Sequence, residues 1–247
     1  MAEKSNTYIG KMLTLLVAGI MIAPLITSCG KTSTGTANSY NSRLVVANLS
    51  PDIMPVDLYI DNKIQNPGTG TATTANVNAY RFPTPTDYVY LQIINSPLQI
   101  RSDTGQRSVL FSTDSVPHQN SKYTLFVTGM KADNNIGYVF LTDTDKVAPV
   151  GRGKIRFVNA SPRSGAFDIY ANQTIAFKNI AFNKVSPWLE MPAGDYDFKI
   201  YANGDQTTVL KEVKQTISDS RLYTMYSYGI VGRTDTAAFN TGLITNK

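Results

Sequence analysis

The side chains most often used in catalysis are scarce in this chain. Its 247 residues include one cysteine, Cys29, and one histidine, His118. General acid–base catalysis usually relies on histidine or on two carboxylates with different pKa values. His118 lies in a Val-Pro-His-Gln-Asn stretch of loop composition, and the chain has no G-x-S-x-G and no phosphate-binding glycine loop. We therefore expect a protein that is not an enzyme.

The acidic residues offer one candidate metal site. The chain has 15 Asp but only 3 Glu. Asp143 and Asp145 would supply two oxygens to Ca²⁺, but no further ligands follow from the sequence. We therefore expect neither a metal nor a cofactor. The shortage of Glu, a helix former, beside abundant Asp, Thr and Asn favours a mainly β structure.

Cys29 stands at the end of a segment typical of protein export. The uncharged stretch Met12–Thr27 is shorter than the roughly 20 apolar residues of a membrane span. Leu25–Gly30 resembles a bacterial lipobox, which implies cleavage before Cys29 and acylation of its thiol and its amine. We predict a lipoprotein signal peptide at residues 1–28, followed by the lipidated cysteine and a flexible tether at residues 29–42.

Lipidation would hold the protein at a membrane, because two anchoring chains suffice for stable attachment. The residue after Cys29 is Gly30 rather than Asp, which argues against retention in the inner membrane. We expect an outer-membrane lipoprotein. Its tether contains Lys31 and lacks the acidic residues of surface-exported Bacteroidetes-type lipoproteins, so the periplasmic and cell-surface faces both stay open. The net charge of +5 gives no nucleic-acid footprint.

Aromatic side chains are the main candidates for binding. In a late strand, Tyr226 and Tyr228 alternate with inward residues and are predicted to face outward. Tyr201 in a neighbouring strand and Trp188 nearby in sequence complete the set. Exposed Tyr and Trp rings suit sugars or partner proteins. The alternative is that these rings fill the interface between two domains or the core of one.

An internal repeat predicts the elements that hold these residues. Three segments of the first half match three segments of the second half in the same order. They are Arg43–Pro51 with Lys154–Pro162, Pro85–Ile93 with Pro192–Ile200, and Tyr123–Gly129 with Tyr223–Gly229, at offsets of 111, 107 and 100. We predict two copies of one domain, at residues 43–148 and 153–247.

Each copy reads as short strands separated by turn-forming clusters, and no segment after residue 30 keeps a helical apolar period. About seven strands in roughly 100 residues are typical of an immunoglobulin-like sandwich. The predicted fold class is all-β, with two tandem immunoglobulin-like β-sandwich domains after a lipoprotein signal peptide. The short join with Pro149 and Gly151 predicts an end-to-end arrangement with limited freedom.

The repeated motifs resemble those of an uncharacterised bacterial family. The V-N-A-S-P stretch Val158–Pro162, its counterpart Val46–Pro51 and the P-A-G of Pro192–Gly194 carry the resemblance, from which the first copy departs at Leu49. It implies tandem immunoglobulin-like domains of unknown function in Bacteroidetes-type envelope lipoproteins.

The expected function is therefore non-enzymatic binding, adhesion or assembly in the bacterial envelope. The alternative is a glycan-binding accessory lipoprotein of an outer-membrane polysaccharide uptake system. The expected partners are a membrane through the lipid anchor and a glycan or an envelope protein, without nucleic acid.

Overall fold

The computed structural model describes residues 42–66, 79–91, 94–103, 106–144 and 146–246. All of these residues belong to one compact unit. The predicted signal peptide, Cys29 and the tether before residue 42 lie outside the described residues. No helix within the described residues is long and apolar enough to cross a membrane.

Within the described residues, the first repeat contains eight strands. They are β1 (Arg43–Asn48), β2 (Val56–Ile60), β3 (Lys63–Ile64), β4 (Val89–Tyr90), β5 (Leu98–Ser102), β6 (Val109–Ser112), β7 (Lys122–Thr128) and β8 (Gly137–Thr142). One sheet has the order β4-β1-β7-β8 and the other β3-β2-β5-β6. β1 runs parallel to β7, and the other neighbours run antiparallel. A 3₁₀ turn at Lys131–Asp133 lies between β7 and β8.

The second repeat has the same topology. Its strands are β9 (Arg152–Asn159), β10 (Phe167–Ala171), β11 (Thr174–Ile180), β12 (Leu189–Pro192), β13 (Gly194–Ala202), β14 (Lys211–Ile217), β15 (Leu222–Tyr228) and β16 (Asn240–Thr245). The sheets have the orders β12-β9-β15-β16 and β11-β10-β13-β14, and β9 runs parallel to β15. The prediction of an all-β chain with two tandem β-sandwiches is confirmed.

Each sandwich encloses its own core between its two sheets. Leu44, Leu58, Ile100 and Leu125 pack in the first core, and Ile155, Ile169, Ile200 and Met225 occupy the corresponding positions in the second. Alternation along the strands creates these cores, because every second side chain of a strand points to the same face. Tyr123, Leu125 and Val127 face inward, as the sequence pattern predicts.

The predicted match at offset 107 is wrong. Val89 pairs with Leu44, and Leu189 pairs with Ile155, so β4 corresponds to β12 at an offset of 100. The first repeat therefore has 11 more residues between β2 and β4 than the second has between β10 and β12. Alternating strands resemble one another in sequence, so the pattern by itself selected the wrong partner.

The two repeats pack through sheet faces rather than end to end. Outward residues of β1, β7 and β8 meet outward residues of β9, β15 and β16 in a third apolar cluster, which includes Val45, Ala47, Val158 and Ile244. The rings of Phe126 and Tyr226 lie at its centre, 5.0 Å apart. Both sheets carry apolar side chains on their outer faces here, and each sheet removes the other from water.

Candidate functional site

Tyr226 and Tyr228 lie at the boundary between the repeats. Tyr226 is only 2% exposed and belongs to the apolar cluster that joins the two sheets. Tyr228 is half-buried and packs edge-on against Phe82 of the first repeat, with ring centroids 5.9 Å apart. The prediction of an exposed binding face is therefore wrong for Tyr226. Its side chain does point out of its own sandwich, but the first repeat covers it.

Trp188 covers a buried ion pair that joins the repeats. The guanidinium of Arg156 stacks on the Trp188 ring, 4.4 Å from its centroid, and is paired with the carboxylate of Asp143. Arg156 belongs to the second repeat and Asp143 follows β8 of the first. Arg156 is only 5% exposed. The opposing sheet supplies the partner that makes burial of this charge tolerable.

Hydroxyl and amide groups complete the network around the ion pair. Asp143 accepts hydrogen bonds from Tyr88 at 2.5 Å and from Thr124 at 2.7 Å. Arg156 donates to the Thr142 carbonyl and to the Thr224 hydroxyl, both at 3.0 Å. Thr224 donates to Asn246 at 2.7 Å, and Asn246 in turn donates to the Tyr88 hydroxyl at 2.9 Å.

This network engages one of the two candidate calcium ligands. Asp143 is fully engaged with Arg156 and two hydroxyl groups, and Asp145 lies outside the described residues. Burial, followed by the charge of Asp143, raises the pKa of Tyr88 far above its usual value, so its hydroxyl stays protonated and can donate. No group of three or more His, Cys, Asp or Glu side chains in the described part of the chain is placed to hold a metal ion.

Tyr201 lies apart from the other three predicted residues. It is half-buried on the outer face of β13, where it packs edge to face against Tyr170 with centroids 5.5 Å apart. The exposed side chain of Ile175 follows on the neighbouring strand, opposite Tyr170. The predicted aromatic set therefore does not form one surface. Tyr226 and Tyr228 lie between the repeats, and Trp188 covers the ion pair. Tyr201 lies on the sheet β11-β10-β13-β14 of the second repeat.

A cleft of about 360 Å³ opens at one end of the first repeat. We call it the end cleft. Met54 and Val109 on its walls are 61% and 51% exposed, which is unusual for side chains of this size. Its apolar lining consists of Ile53, Met54, Val56, Val109, Leu110 and Ile136.

The second repeat explains why this space is open. Strand register makes Val56 the counterpart of Phe167 and Ile136 the counterpart of Phe239. Phe167 and Phe239 pack against each other with ring centroids 5.2 Å apart and close the corresponding end of the second sandwich. Two smaller side chains take their places in the first repeat, and the end cleft results.

The wall of the end cleft is held in place by polar contacts. Asp52 accepts hydrogen bonds from the backbone N–H groups of Lys131 and Ala132, both at 2.8 Å. Asp133 of the same 3₁₀ turn forms a two-point ion pair with Arg163 of the second repeat, at 2.6 and 2.8 Å. The turn is thus fixed from both repeats, and the end cleft is pre-formed.

Comparison with protein-family models matches residues 42–170 and 153–246 to the Domain of unknown function (DUF4397). The two matches together cover most of the chain. The chain belongs to the DUF4397 family. The search of curated proteins finds no match.

The DUF4397 assignment fits the two-repeat topology and names no activity. In this DUF4397 protein the end cleft was not predicted from the sequence, although the sequence carries a signal for it. In the register of the strands, Val56 and Ile136 stand where the second repeat has phenylalanines. His118 lies in a loop, as its sequence context predicts; it is exposed, and its Nδ1 lies 3.3 Å from the side-chain oxygen of Asn95.

Proposed function

We propose that this DUF4397 protein is a non-enzymatic binding module of the bacterial envelope that recognises a partner protein through the end cleft. Cys29 anchors it to the outer membrane through lipid, as its lipobox-like sequence implies. The observation that carries the proposal is the end cleft itself, a pre-formed cavity of mixed polar and apolar lining with exposed apolar side chains on its walls. Pockets of this kind hold the anchoring side chains of protein interfaces.

The second repeat indicates what would fit. A phenylalanine ring, Phe239, fills the corresponding position there against Phe167. An aromatic side chain from a partner would restore this packing in the first repeat. Lys131 and Asp52 line the same cleft and offer polar contacts to the partner's backbone. We expect a partner segment with one aromatic anchor and polar neighbours.

The contact between the repeats supports a binding role. A buried ion pair and an apolar cluster join the two sandwiches, and the Arg163–Asp133 pair ties the cleft wall to the second repeat. The cleft therefore keeps its shape without a ligand, which lowers the ordering cost of binding.

A glycan-binding accessory role is the second candidate. It rests on Tyr170 and Tyr201, whose rings lie at the surface of the sheet β11-β10-β13-β14 in the second repeat. The T-shaped geometry presents one ring face beside one ring edge. Replacing both residues with serine should abolish oligosaccharide-induced thermal stabilisation if this surface binds sugar.

Site-specific cross-linking in cells tests the end cleft. A photo-reactive amino acid at Val109, on the cleft wall, should give a discrete cross-linked protein, whereas the same group at exposed Ile175 should not. Ile136→Phe fills the cleft with the side chain that the second repeat uses and should remove the product. A product that persists in Ile136→Phe, or that forms equally from position 175, would refute the proposal.

A direct binding measurement complements the cross-linking. p-Cresol, the side-chain analogue of tyrosine, should raise the Tm of the wild-type protein and leave that of Ile136→Phe unchanged. Equal shifts in the two proteins would mean that the ring binds elsewhere.

The membrane anchor needs its own test. Cys29→Ala should release the protein from membranes or block its processing. Protease shaving of intact cells then separates the two faces of the outer membrane. Loss of the protein with a periplasmic control spared would place it on the cell surface, and protection until the outer membrane is broken would place it in the periplasm.

A further inference from the structure

Asp57 is a buried carboxylate with an unsatisfied oxygen. It lies on β2, and its side chain points away from the core formed by Val56 and Leu58. The residue is 0% exposed. Asn66 donates a hydrogen bond to its Oδ1 at 2.6 Å, but Oδ2 has no hydrogen-bond partner among the described residues. A buried charge in this state is costly unless a positive charge or more donors compensate it.

A second carboxylate stands beside it. Asp57 pairs in register with Arg101, and Asp103 follows two residues later on the same face of β5. The backbone N–H of Asp103 donates to the Pro55 carbonyl at 3.1 Å, which continues the pairing of the two strands. Oδ1 of Asp103 is also buried without a hydrogen-bond partner in the described part of the chain.

In the second repeat, amide N–H groups satisfy the corresponding carboxylate. Asp168 is the counterpart of Asp57, and Asn203 is the counterpart of Asp103. The Asn203 side chain donates to Asp168 at 3.0 Å, and the backbone N–H groups of Asn179 and Gly204 donate at 2.7 and 3.1 Å. The Asn203 backbone donates to the Ala166 carbonyl at 2.9 Å, as Asp103 does to Pro55. The backbones thus agree, and one repeat has a carboxylate where the other has a donor.

We propose that Asp57 and Asp103 are the side-chain ligands of a divalent-cation site in the first repeat, with Ca²⁺ as the best fit. Ca²⁺ takes six to eight oxygen ligands in flexible geometry, and Asp carboxylates are among the ligands that it uses. Backbone carbonyls and water supply the other oxygens. In the first repeat the cation compensates the buried negative charge of Asp57. In the second repeat the N–H groups of Asn203 and its neighbours do the same for Asp168.

Two arginine side chains lie near these carboxylates, and a bound cation would compete with their positive charges. Arg101 stacks on the Tyr59 ring at 4.2 Å and donates to Gln99 and Asn62. Arg107 donates to the Tyr59 hydroxyl at 3.2 Å.

The charges of Arg81 and Arg107 also act on Asp103. No hydrogen bond joins these guanidiniums to Asp57 Oδ2 or Asp103 Oδ1, and Arg101 Nε is likewise buried without a hydrogen-bond partner among the described residues. Two buried carboxylate oxygens without a donor favour an added positive charge, which a cation or a shared proton would provide.

Metal titration of the full chain in detergent separates these two outcomes. With Ca²⁺ at about 100-fold above its Kd, the Tm should rise by roughly 5 to 10 °C relative to EDTA, and isothermal titration should give one site. Mg²⁺ serves as the comparison, because it demands a stricter octahedral geometry. No response to either cation up to about 10 mM, ten times the weakest dissociation constants of extracellular calcium modules, would overturn the proposal.

Two exchange variants use the repeats as each other's control. Asp103→Asn gives the first repeat the arrangement of the second. It should reduce Ca²⁺ affinity at least about tenfold and raise the Tm in EDTA. Asn203→Asp, the converse change, should lower the Tm in EDTA. A Ca²⁺ response unchanged in Asp103→Asn would overturn the site. If that variant does not fold, the Asp57→Asn variant and the titration of the wild-type protein still test whether the cation site exists. Stabilisation by acid without any response to cations would mean a shared proton and would also overturn the proposal.

Discussion

Replacing Arg156 with valine should destabilise the whole unit. The Arg156 side chain is 6% exposed and the Asp143 side chain 0%, so the substitution leaves a buried carboxylate whose side-chain donors among the described residues are the Tyr88 and Thr124 hydroxyls. Breaking a buried pair in this way costs about 3 to 5 kcal/mol. For a domain of this size, about 2 to 4 °C of Tm is lost per kcal/mol, so we expect a decrease of roughly 6 to 20 °C.

The repeats suggest the partner change for a double-mutant cycle. Strand register makes Val45 the counterpart of Arg156 and Asn246 the counterpart of Asp143. Arg156→Val with Asp143→Asn therefore places the same two residue types on both sides of the contact and removes both charges. The double variant should recover about 2 kcal/mol or more of the loss in Arg156→Val, because no uncompensated charge remains.

Urea and thermal unfolding followed by circular dichroism measure this cycle. Arg152→Val is the matched control, since Arg152 lies on the same strand and forms a largely exposed pair with Glu190 at 2.7 Å. Its Tm should change far less. A loss below about 1 kcal/mol in Arg156→Val, or additive losses in the double variant, would refute the idea that the buried pair holds the repeats together.

Three further changes test other parts of the structure. Gly242→Ala should cost about 1 to 3 kcal/mol in urea unfolding, because its new methyl group would lie 2.2 Å from the Tyr226 ring, whereas Gly165→Ala meets no atom within 4 Å and should be tolerated. Ile136→Phe should stabilise the protein by about 1 kcal/mol by filling the end cleft, and no gain in urea midpoint would contradict the comparison with Phe239. Burial raises the pKa of Asp168, but hydrogen bonds from the Asn179 and Gly204 backbones and from Asn203 outweigh it and hold that pKa below 3.8. Asp168 therefore stabilises the fold above pH 3.8, and this contribution is lost as the pH falls through the lowered folded value. Asp168→Asn should thus be less stable than wild type at neutral pH, with a difference that narrows in acid unfolding titrations.

The fold class and the internal repeat follow from the amino-acid sequence alone. Period-two alternation identified most strands, and Tyr123, Leu125 and Val127 face the core as that pattern requires. The same alternation also placed Tyr226 on the outer face of its sandwich. These features are local, because the pleat of a strand fixes the side to which each residue points.

What covers each outer face depends on how the two sandwiches pack, which the sequence pattern does not record. Phe126 meets Tyr226 and Asp143 meets Arg156 because two sheets far apart in the chain pack together, and strand periodicity carries no record of that contact. The register of β4 against β1 likewise corrected the alignment, and the pairing of β5 with β2 brought Asp103 into correspondence with Asn203. The carboxylate pair follows from that correspondence, and the end cleft follows from the pairing that equates Val56 with Phe167 and Ile136 with Phe239. Both depend on differences between the repeats at positions that strand pairing equates.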